Sequence, residues 1–137
     1  MLLNIITGYR GIKQYPQEEL VYIVCKVGDI ITHCPQWCFT DGHAKNSITK
    51  FYNKIDDLGQ LDWEAIKSQY WHSTEDNQDR MRQKQSEFLV KTHIPQYCIC
   101  GLIVLNAQRK AQIEEMQAKV GTEIPIYVDT NRKYFYP

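Results

Sequence analysis

The sequence predicts a single domain of the α+β class that covers residues 1–137. Short runs rich in β-branched and aromatic residues alternate with segments whose apolar residues follow a helical spacing. Apolar residues make up 43% of the chain, which is enough for a hydrophobic core. The length fits one domain of ordinary size, and no internal repeat or linker divides it.

The first third of the chain is predicted to contain one apolar element and two strands. Residues 1–6 are apolar and begin without a polar lead-in, and glycines follow them as breakers. Leu20–Val27 is rich in β-branched and aromatic residues, as in a buried strand. Trp37–Thr40 is predicted to be a second, short strand, which the turn signal Asp41-Gly42 ends.

The middle of the chain is predicted to be largely helical. Ser47–Leu58 has apolar residues at helical spacing, with Ser47 as its N-cap. A short second helix begins after its N-cap, Asp62. Residues 72–84 are almost wholly polar and predict an exposed loop or helix end. Glu87–Thr92 then predicts a strand, which Pro95 separates from the next element.

The last third carries the most regular patterns. Tyr97–Leu105 is the most apolar run and predicts a central strand. Asn106 is predicted to cap a helix that runs to about Val120, and Gly121 ends it. Ile124–Val128 predicts a further strand, and Tyr134–Tyr136 predicts an edge strand.

Charge and motifs exclude several classes of protein. The chain has 16 Lys and Arg residues and 16 Asp and Glu residues, so its net charge does not predict binding to a nucleic acid. A local basic patch is still compatible with this balance. The chain has no Gly-rich phosphate loop, no G-x-S-x-G and no H-E-x-x-H, which argues against nucleotide-loop, serine-hydrolase and metalloprotease readings. No apolar run is long enough to span a bilayer and no secretory signal is present. We therefore expect a soluble, cytoplasmic protein without a membrane partner.

The five cysteines do not predict a disulfide framework, because their number is odd. Cys34 and Cys38, with His33 and His43 nearby, are the possible ligands of a zinc ion. Their C-x3-C spacing differs from the C-x2-C of common zinc sites. Buried thiols are the favoured interpretation, no metal is expected, and a zinc-stabilised binding module is the weaker alternative.

Glu87 is the best candidate for a catalytic side chain. It begins an apolar strand, beside Phe88 and Leu89, directly after a polar and basic segment. Partial desolvation there suits a carboxylate to proton abstraction or to stabilising positive charge. A solvent-facing glutamate on an edge strand is the structural alternative, and the pattern alone favours it.

Four segments, in order, resemble the DarT family of toxins, which ADP-ribosylate DNA bases with NAD as co-substrate. They are Trp37–Ala44, Leu61–Ile66 with Trp71, Arg82–Val90, and Ile94-Pro95 with the strand and helix that follow and Tyr134-Phe135. The resemblance covers essentially the whole chain. It implies an ADP-ribosyltransferase-like fold with split sheets around an NAD cleft.

The resemblance also implies roles for individual residues. Glu87 matches the family's catalytic glutamate, which orients the nicotinamide ribose and stabilises an oxocarbenium-like transition state. His43 matches a position near the site, where it is expected to contact DNA or to assist proton movement. Arg80, Arg82 and Lys84 lie in a segment, 72–86, that resembles the family's substrate loop, so they are expected to contact single-stranded DNA. A turn histidine and a solvated charged loop are the structural alternatives.

The family's NAD-gripping strand and catalytic-arginine segment precede the part that is matched here, and Met1-Leu2 resembles the end of that arginine segment. The resemblance therefore implies the C-terminal part of the fold, with most cofactor-binding residues upstream of Met1. The implied partners are single-stranded DNA, a missing N-terminal fragment and a macrodomain-type antitoxin. The alternative function is a non-catalytic remnant that binds single-stranded DNA or an antitoxin.

Overall fold

Helices and strands belong to two units in the computed structural model, which describes residues 2–68 and 70–136. Met1–Ile30 and Pro95–Pro137 form unit 1, and Ile31–Ile94 forms unit 2. Each unit contains a three-stranded sheet. The α+β class is confirmed, whereas the single domain stays a prediction.

The elements are numbered along the chain. The strands are β1 (Val21–Cys25), β2 (Trp37–Thr40), β3 (Phe51–Tyr52), β4 (Phe88–Val90), β5 (Ile99–Val104) and β6 (Ile126–Val128). The α-helices are α1 (Leu2–Thr7), α2 (Val27–His33), α3 (Trp63–Lys67), α4 (Arg80–Gln83) and α5 (Ala107–Val120). Short 3-10 helices lie at Tyr9–Gly11, Gln17–Glu19, Ile55–Gln60 and Gln96–Cys98. None of the described helices has the length and apolar character needed to cross a membrane.

The sheet of unit 1 has the order β1-β5-β6, so the most apolar run of the sequence is its central strand, as predicted. β1 pairs antiparallel with β5, with Val21 opposite Val104. β5 pairs parallel with β6, with Leu102 opposite Ile126. A parallel pair needs a crossover connection, and α5 provides it.

Helix α5 begins and ends where its cap residues predict. The Asn106 side chain accepts a hydrogen bond from the Arg109 N–H at 2.8 Å. Gly121 adopts a left-handed φ of 69°, and its N–H donates to the Gln117 carbonyl. Only glycine takes this conformation without strain, which explains why the helix ends there. Met116 and Val120, two apolar residues of the helix, are more than half exposed.

The sheet of unit 2 has the order β3-β2-β4 and is antiparallel throughout. Four nearly parallel rings stack beside it. The ring centroid of Phe39 lies 5.3 Å from that of Tyr52 and 6.4 Å from that of Phe88, and Trp37 lies 5.5 Å from Phe88. Phe39 is buried at the centre of this aromatic stack. Because a one-residue slip would turn every side chain to the other face, the stack fixes the register of β4.

The helix predicted at Ser47–Leu58 is wrong. Residues 44–48 form turns, β3 follows, and only a 3-10 helix, Ile55–Gln60, completes the segment. Phe51 and Tyr52 pair with Thr40 and Phe39 of β2. This long-range pairing overrides the helical spacing, because a strand partner satisfies the backbone groups that a helix would have used.

The edge strand predicted at Tyr134–Tyr136 is also wrong. The backbone there binds a carboxylate instead of a neighbouring strand. Asp129 Oδ2 accepts hydrogen bonds from the N–H groups of Tyr134 at 2.7 Å and Phe135 at 3.1 Å, and Oδ1 accepts one from Lys133 at 3.0 Å. Burial alone would raise the pKa of Asp129, but these three hydrogen bonds hold it below its ordinary value.

Replacement of Asp129 is predicted to release this tail. In Asp129→Ala the three N–H groups lose their acceptor, which costs about 1–3 kcal/mol of local stability. Hydrogen exchange at Tyr134 and Phe135 measures the loss, with the exposed Asp56→Ala as control. The pKa of Asp129 is lower in the folded protein than in the unfolded chain. Its contribution to stability is therefore present above the unfolded pKa and disappears as the pH falls through the folded pKa. Unchanged exchange in Asp129→Ala would contradict the assignment.

Candidate active site

Glu87 lies at the point where the β2–β4 pairing ends. Its N–H donates to the Thr40 hydroxyl at 3.0 Å, and its carbonyl accepts from the Thr40 N–H at 2.9 Å. Thr40 is the last residue of β2 and has no exposed surface. The backbone of Glu87 is therefore held on both sides by one buried residue.

The Glu87 carboxylate is partly buried, with 34% of the side chain exposed. Oε2 accepts a hydrogen bond from the Ala44 N–H at 2.8 Å. Within residues 2–68 and 70–136, this is the one hydrogen bond that the carboxylate accepts. Oε1 accepts no hydrogen bond from another described residue. Glu87 precedes β4, which is an edge strand of its sheet, so the solvent-facing glutamate stays as the structural alternative.

His43 lies beside Glu87, so the structure brings these two predicted site residues together. Nδ1 of His43 is 3.8 Å from Oε2 of Glu87. The same Nδ1 accepts a hydrogen bond from the Lys45 N–H at 3.2 Å, which assigns the ring proton of neutral His43 to Nε2. His43 is 42% exposed, and its Nε2–H is a donor that a ligand can meet.

Arg82 is turned inward and joins two carboxylates. Its Nη1 donates to Asp41 Oδ1 at 2.8 Å, and its Nη2 donates to Asp79 Oδ2 at 2.6 Å. Hydrogen bonds with Asp79 and then Asp41 raise the pKa of Arg82 above its ordinary value. Only 14% of the side chain is exposed. The DNA contact of Arg82 stays a prediction, and in this structure its guanidinium holds the turn after β2.

The turn after β2 is built around Arg82. A Cβ on Gly42 would come within 2.8 Å of the Arg82 Cγ and within 2.7 Å of its Nη1, so only glycine leaves room for this side chain. Asp41 also accepts from the Lys50 N–H at 2.9 Å. Burial alone would raise the pKa of Asp41, but the hydrogen bonds from Arg82 and Lys50 hold it below its ordinary value.

Lys84 is also directed into the protein. Its ammonium donates to the carbonyls of Ser68, Ala65 and Ile66 at the C-terminal end of α3. It lies 4.9 Å from the centroid of the Trp71 ring. Burial, and then the charge of Arg80, lower the pKa of Lys84 below its ordinary value. Its DNA contact stays a prediction, and the ammonium caps the C-terminal end of α3, where exposed carbonyls and the helix dipole favour a cation.

Arg80 differs from the other two basic residues. Its Nε is shielded from solvent and has no acceptor in the part of the chain that the structure describes. No other described side chain bonds its guanidinium, and the residue as a whole is partly exposed. Among Arg80, Arg82 and Lys84, Arg80 is thus the residue whose charged group meets no acceptor from another described residue.

Hydrogen bonds hold the second half of the polar segment before Glu87, whereas residues 72–76 are exposed. Asn77 holds it together, because its Nδ2 donates to Gln83 Oε1 at 2.8 Å and to Asp62 Oδ2 at 3.2 Å. Its Oδ1 accepts from the Asp79 N–H at 3.1 Å. Asp62, the predicted N-cap of α3, also accepts from the Ala65 N–H at 2.8 Å. These hydrogen bonds tie the segment to the start of α3 and to α4.

Sequence reasoning missed Thr40, Asp41, Ala44 and Asp79 as parts of this site. Thr40 and Asp41 lie in the segment Trp37–Ala44 that resembles the family, but their own pattern indicates only a strand end and a turn, because their partners lie more than forty residues away. Ala44 contributes a backbone N–H, which no side-chain pattern reveals. Asp79 and Arg82 are three residues apart, and that spacing was the one local signal available.

The zinc alternative gains no support. Among the described residues, no group of three or more His, Cys, Asp or Glu side chains is placed to hold a metal ion. Cys34 is buried, as expected of a structural thiol, whereas Cys38 is partly exposed in β2.

Comparison with solved structures identifies the fold class. The chain is similar to Thermus sp. 2.9 DarT in complex with NAD+, with a TM-score of 0.85 and 22% identity over 98% of this chain and 66% of that one. The complex of the same protein with ADP-ribosylated ssDNA gives a TM-score of 0.84, covering 98% of this chain and 63% of that one. The fold is therefore ADP-ribosyltransferase-like, as the resemblance implied.

Comparison with curated proteins finds DNA ADP-ribosyl transferases as relatives. A DNA ADP-ribosyl transferase of Escherichia coli O127:H6 (strain E2348/69 / EPEC) is 30% identical over 115 residues, covering 84% of this chain and 53% of the relative. One from Thermus sp. (strain 2.9) is 34% identical over 103 residues, covering 74% of this chain and 47% of the relative. The chain spans about half the length of these relatives.

The family model described as "ssDNA thymidine ADP-ribosyltransferase, DarT" matches residues 1–136. The chain belongs to the DarT family.

The inward direction of Arg82 predicts a mainly structural role. Arg82→Ala should lower the free energy of unfolding by about 2–3 kcal/mol, because two carboxylates lose a charged donor. Arg82→Lys should recover only part of this, since an ammonium cannot span both carboxylates. Tryptophan fluorescence in urea measures the effect, because all three tryptophans lie in unit 2. The exposed Lys54→Ala is the control, and a neutral Arg82→Ala would contradict the role.

The same interaction predicts a pH dependence. The folded pKa of Asp41 is lowered, so its contribution is present above its unfolded pKa, near about 3.9, and is lost as the pH falls through the folded pKa. The stability difference between the wild type and Arg82→Ala should therefore shrink in acid. A difference that stays constant from neutral pH to acid would argue against Asp41 as the partner.

Proposed function

We propose that this chain is the glutamate-bearing part of an NAD-dependent DNA ADP-ribosyltransferase that acts as the toxin of a toxin-antitoxin system. It would transfer ADP-ribose from NAD to a base in single-stranded DNA. Membership of the DarT family supports the reaction class. The placement of Glu87 carries the proposal, because its backbone and one carboxylate oxygen are fixed while Oε1 accepts no hydrogen bond from another described residue.

The proposed reaction breaks the bond between nicotinamide and its ribose, and a ring nitrogen of the base attacks the same carbon. Positive charge develops on the ribose as nicotinamide leaves. Oε1 of Glu87 accepts a hydrogen bond from the ribose and stabilises that charge. The base nitrogen loses its proton to the Glu87 carboxylate as the new bond forms. The Ala44 N–H keeps the carboxylate oriented during both steps.

NAD is the proposed co-substrate, and the cytoplasm is the proposed location. Thermus sp. 2.9 DarT in complex with NAD+ supports the first. Because the chain spans about half of its relatives, we infer that groups equivalent to the part of the relatives not covered here complete the NAD site. Thermosipho africanus DarTG in complex with ADP-ribose supports a toxin-antitoxin setting, with a macrodomain-type antitoxin as partner.

Arg80 is the proposed contact for DNA phosphates. Arg82 and Lys84 donate hydrogen bonds to other residues of unit 2, whereas the guanidinium of Arg80 meets no acceptor from another described residue. A guanidinium pairs strongly with a phosphate, since both are charged and match in geometry. The same residue would serve the alternative function, a remnant that binds DNA without catalysis.

Transfer by Glu87 is tested by incubating the chain with NAD and single-stranded oligonucleotides that contain thymidine or guanosine. The chain is assayed alone and with the part of a relative that it does not cover. Mass spectrometry should detect the addition of one ADP-ribose, and Glu87→Gln should reduce the rate by at least about a hundredfold. The exposed Glu64→Gln should react normally. Transfer that persists in Glu87→Gln would contradict the role of Glu87. A folded protein that gives no product in either arm would favour the remnant.

The DNA contact of Arg80 is tested by oligonucleotide binding at several salt concentrations. Arg80→Gln should weaken binding and lower the slope of log affinity against log salt by about one, as loss of one phosphate contact requires. Lys119→Gln removes an exposed charge on α5 and should leave both unchanged. Equal slopes for the wild type and Arg80→Gln would exclude Arg80 as the phosphate contact.

A further inference from the structure

The Thr40 hydroxyl occupies an unusual place in the β2–β4 ladder. Thr40 has no exposed surface, and its hydroxyl accepts from the Glu87 N–H at 3.0 Å while donating to the Gly42 carbonyl at 2.6 Å. The ladder thus ends with a bond from the Glu87 N–H to a side chain, where a strand carbonyl would ordinarily accept.

This substitution allows the chain to leave the sheet and still hold Glu87. Beyond Thr40 the backbone turns through Gly42, whose carbonyl is fixed by the same hydroxyl. Two residues later the Ala44 N–H reaches the Glu87 carboxylate at 2.8 Å. Three hydrogen bonds, together with the backbone from Gly42 to Ala44, thus connect the Glu87 backbone to the Glu87 side chain.

We propose that Thr40 is a positioning residue for the Glu87 carboxylate, acting through its hydroxyl on the turn that carries Ala44. The catalytic part of this inference rests on the proposed function. The positional part stands on geometry alone. Serine can replace Thr40 because it keeps a donor and acceptor at the same place. Valine has nearly the same shape but can do neither, and it leaves the Glu87 N–H and the Gly42 carbonyl unpaired.

Hydrogen exchange by NMR separates positioning from general stability. In Thr40→Val, the amides of Glu87 and Ala44 should exchange at least about tenfold faster, while the ladder amides of β2 and β4 keep their protection. Thr40→Ser should restore both amides. Thr122→Val removes a partly buried hydroxyl from unit 1 and is the control. Equal acceleration of every amide in unit 2, or unchanged exchange at Ala44, would overturn the proposal.

The activity arm distinguishes this inference from the proposed function. Thr40→Val should lower kcat for ADP-ribose transfer by about a hundredfold with little change in KM for NAD, and Thr40→Ser should stay close to wild type. A wild type that transfers nothing counts against the proposed function, while the exchange results still decide the role of Thr40. An active Thr40→Val overturns the role of Thr40 alone.

If Thr40→Val does not fold, hydrogen exchange in the wild type still tests the proposal. The Glu87 amide proton of the wild type should be as protected as that of Thr40, because each bonds to the other residue. Exchange of the Glu87 amide at the rate of an unstructured peptide would overturn the proposal without any variant.

Discussion

The antiparallel pairing of β2 with β4 is the constraint on which the candidate site depends. It joins segments almost fifty residues apart, and the stacked rings of Trp37, Phe39 and Phe88 prevent its register from slipping. Every other contact of Glu87 follows from this pairing. The strand ends deliver Glu87 to the Thr40 hydroxyl, and the turn that leaves β2 returns the Ala44 N–H to the carboxylate. Loss of the pairing would remove the site as a whole.

Local signals predicted those parts of the fold whose causes are themselves local. Asn106 and Gly121 delimit α5 because each satisfies backbone groups next to it in the chain. Phe51 and Tyr52 could not be assigned this way, since their strand partners lie in β2. Tyr134 and Phe135 were misassigned for a related reason. Their amides donate to the carboxylate of Asp129, and an apolar sequence pattern does not reveal such a contact.

The two central residues of the candidate site were easier to place from the sequence than the charged residues around them. Glu87 and His43 lie together, as the resemblance suggested. Arg82 and Lys84 appeared in the sequence as charges in a polar run, which suggested exposure. In the structure they bind Asp41, Asp79 and the end of α3. Sequence shows that a charge is present but not which way it points, because direction depends on partners supplied by distant segments.

The contact between Gly42 and Arg82 makes the side chain that fits at one of these positions depend on the side chain at the other. A side chain at position 42 would occupy the space of the Arg82 aliphatic stem, so it requires a shorter residue at position 82. A shorter residue there would leave Asp41 and Asp79 facing each other without a cation. The side chains at positions 42 and 82 and the two carboxylates therefore limit one another in size and charge, although 41 residues separate Asp41 from Arg82.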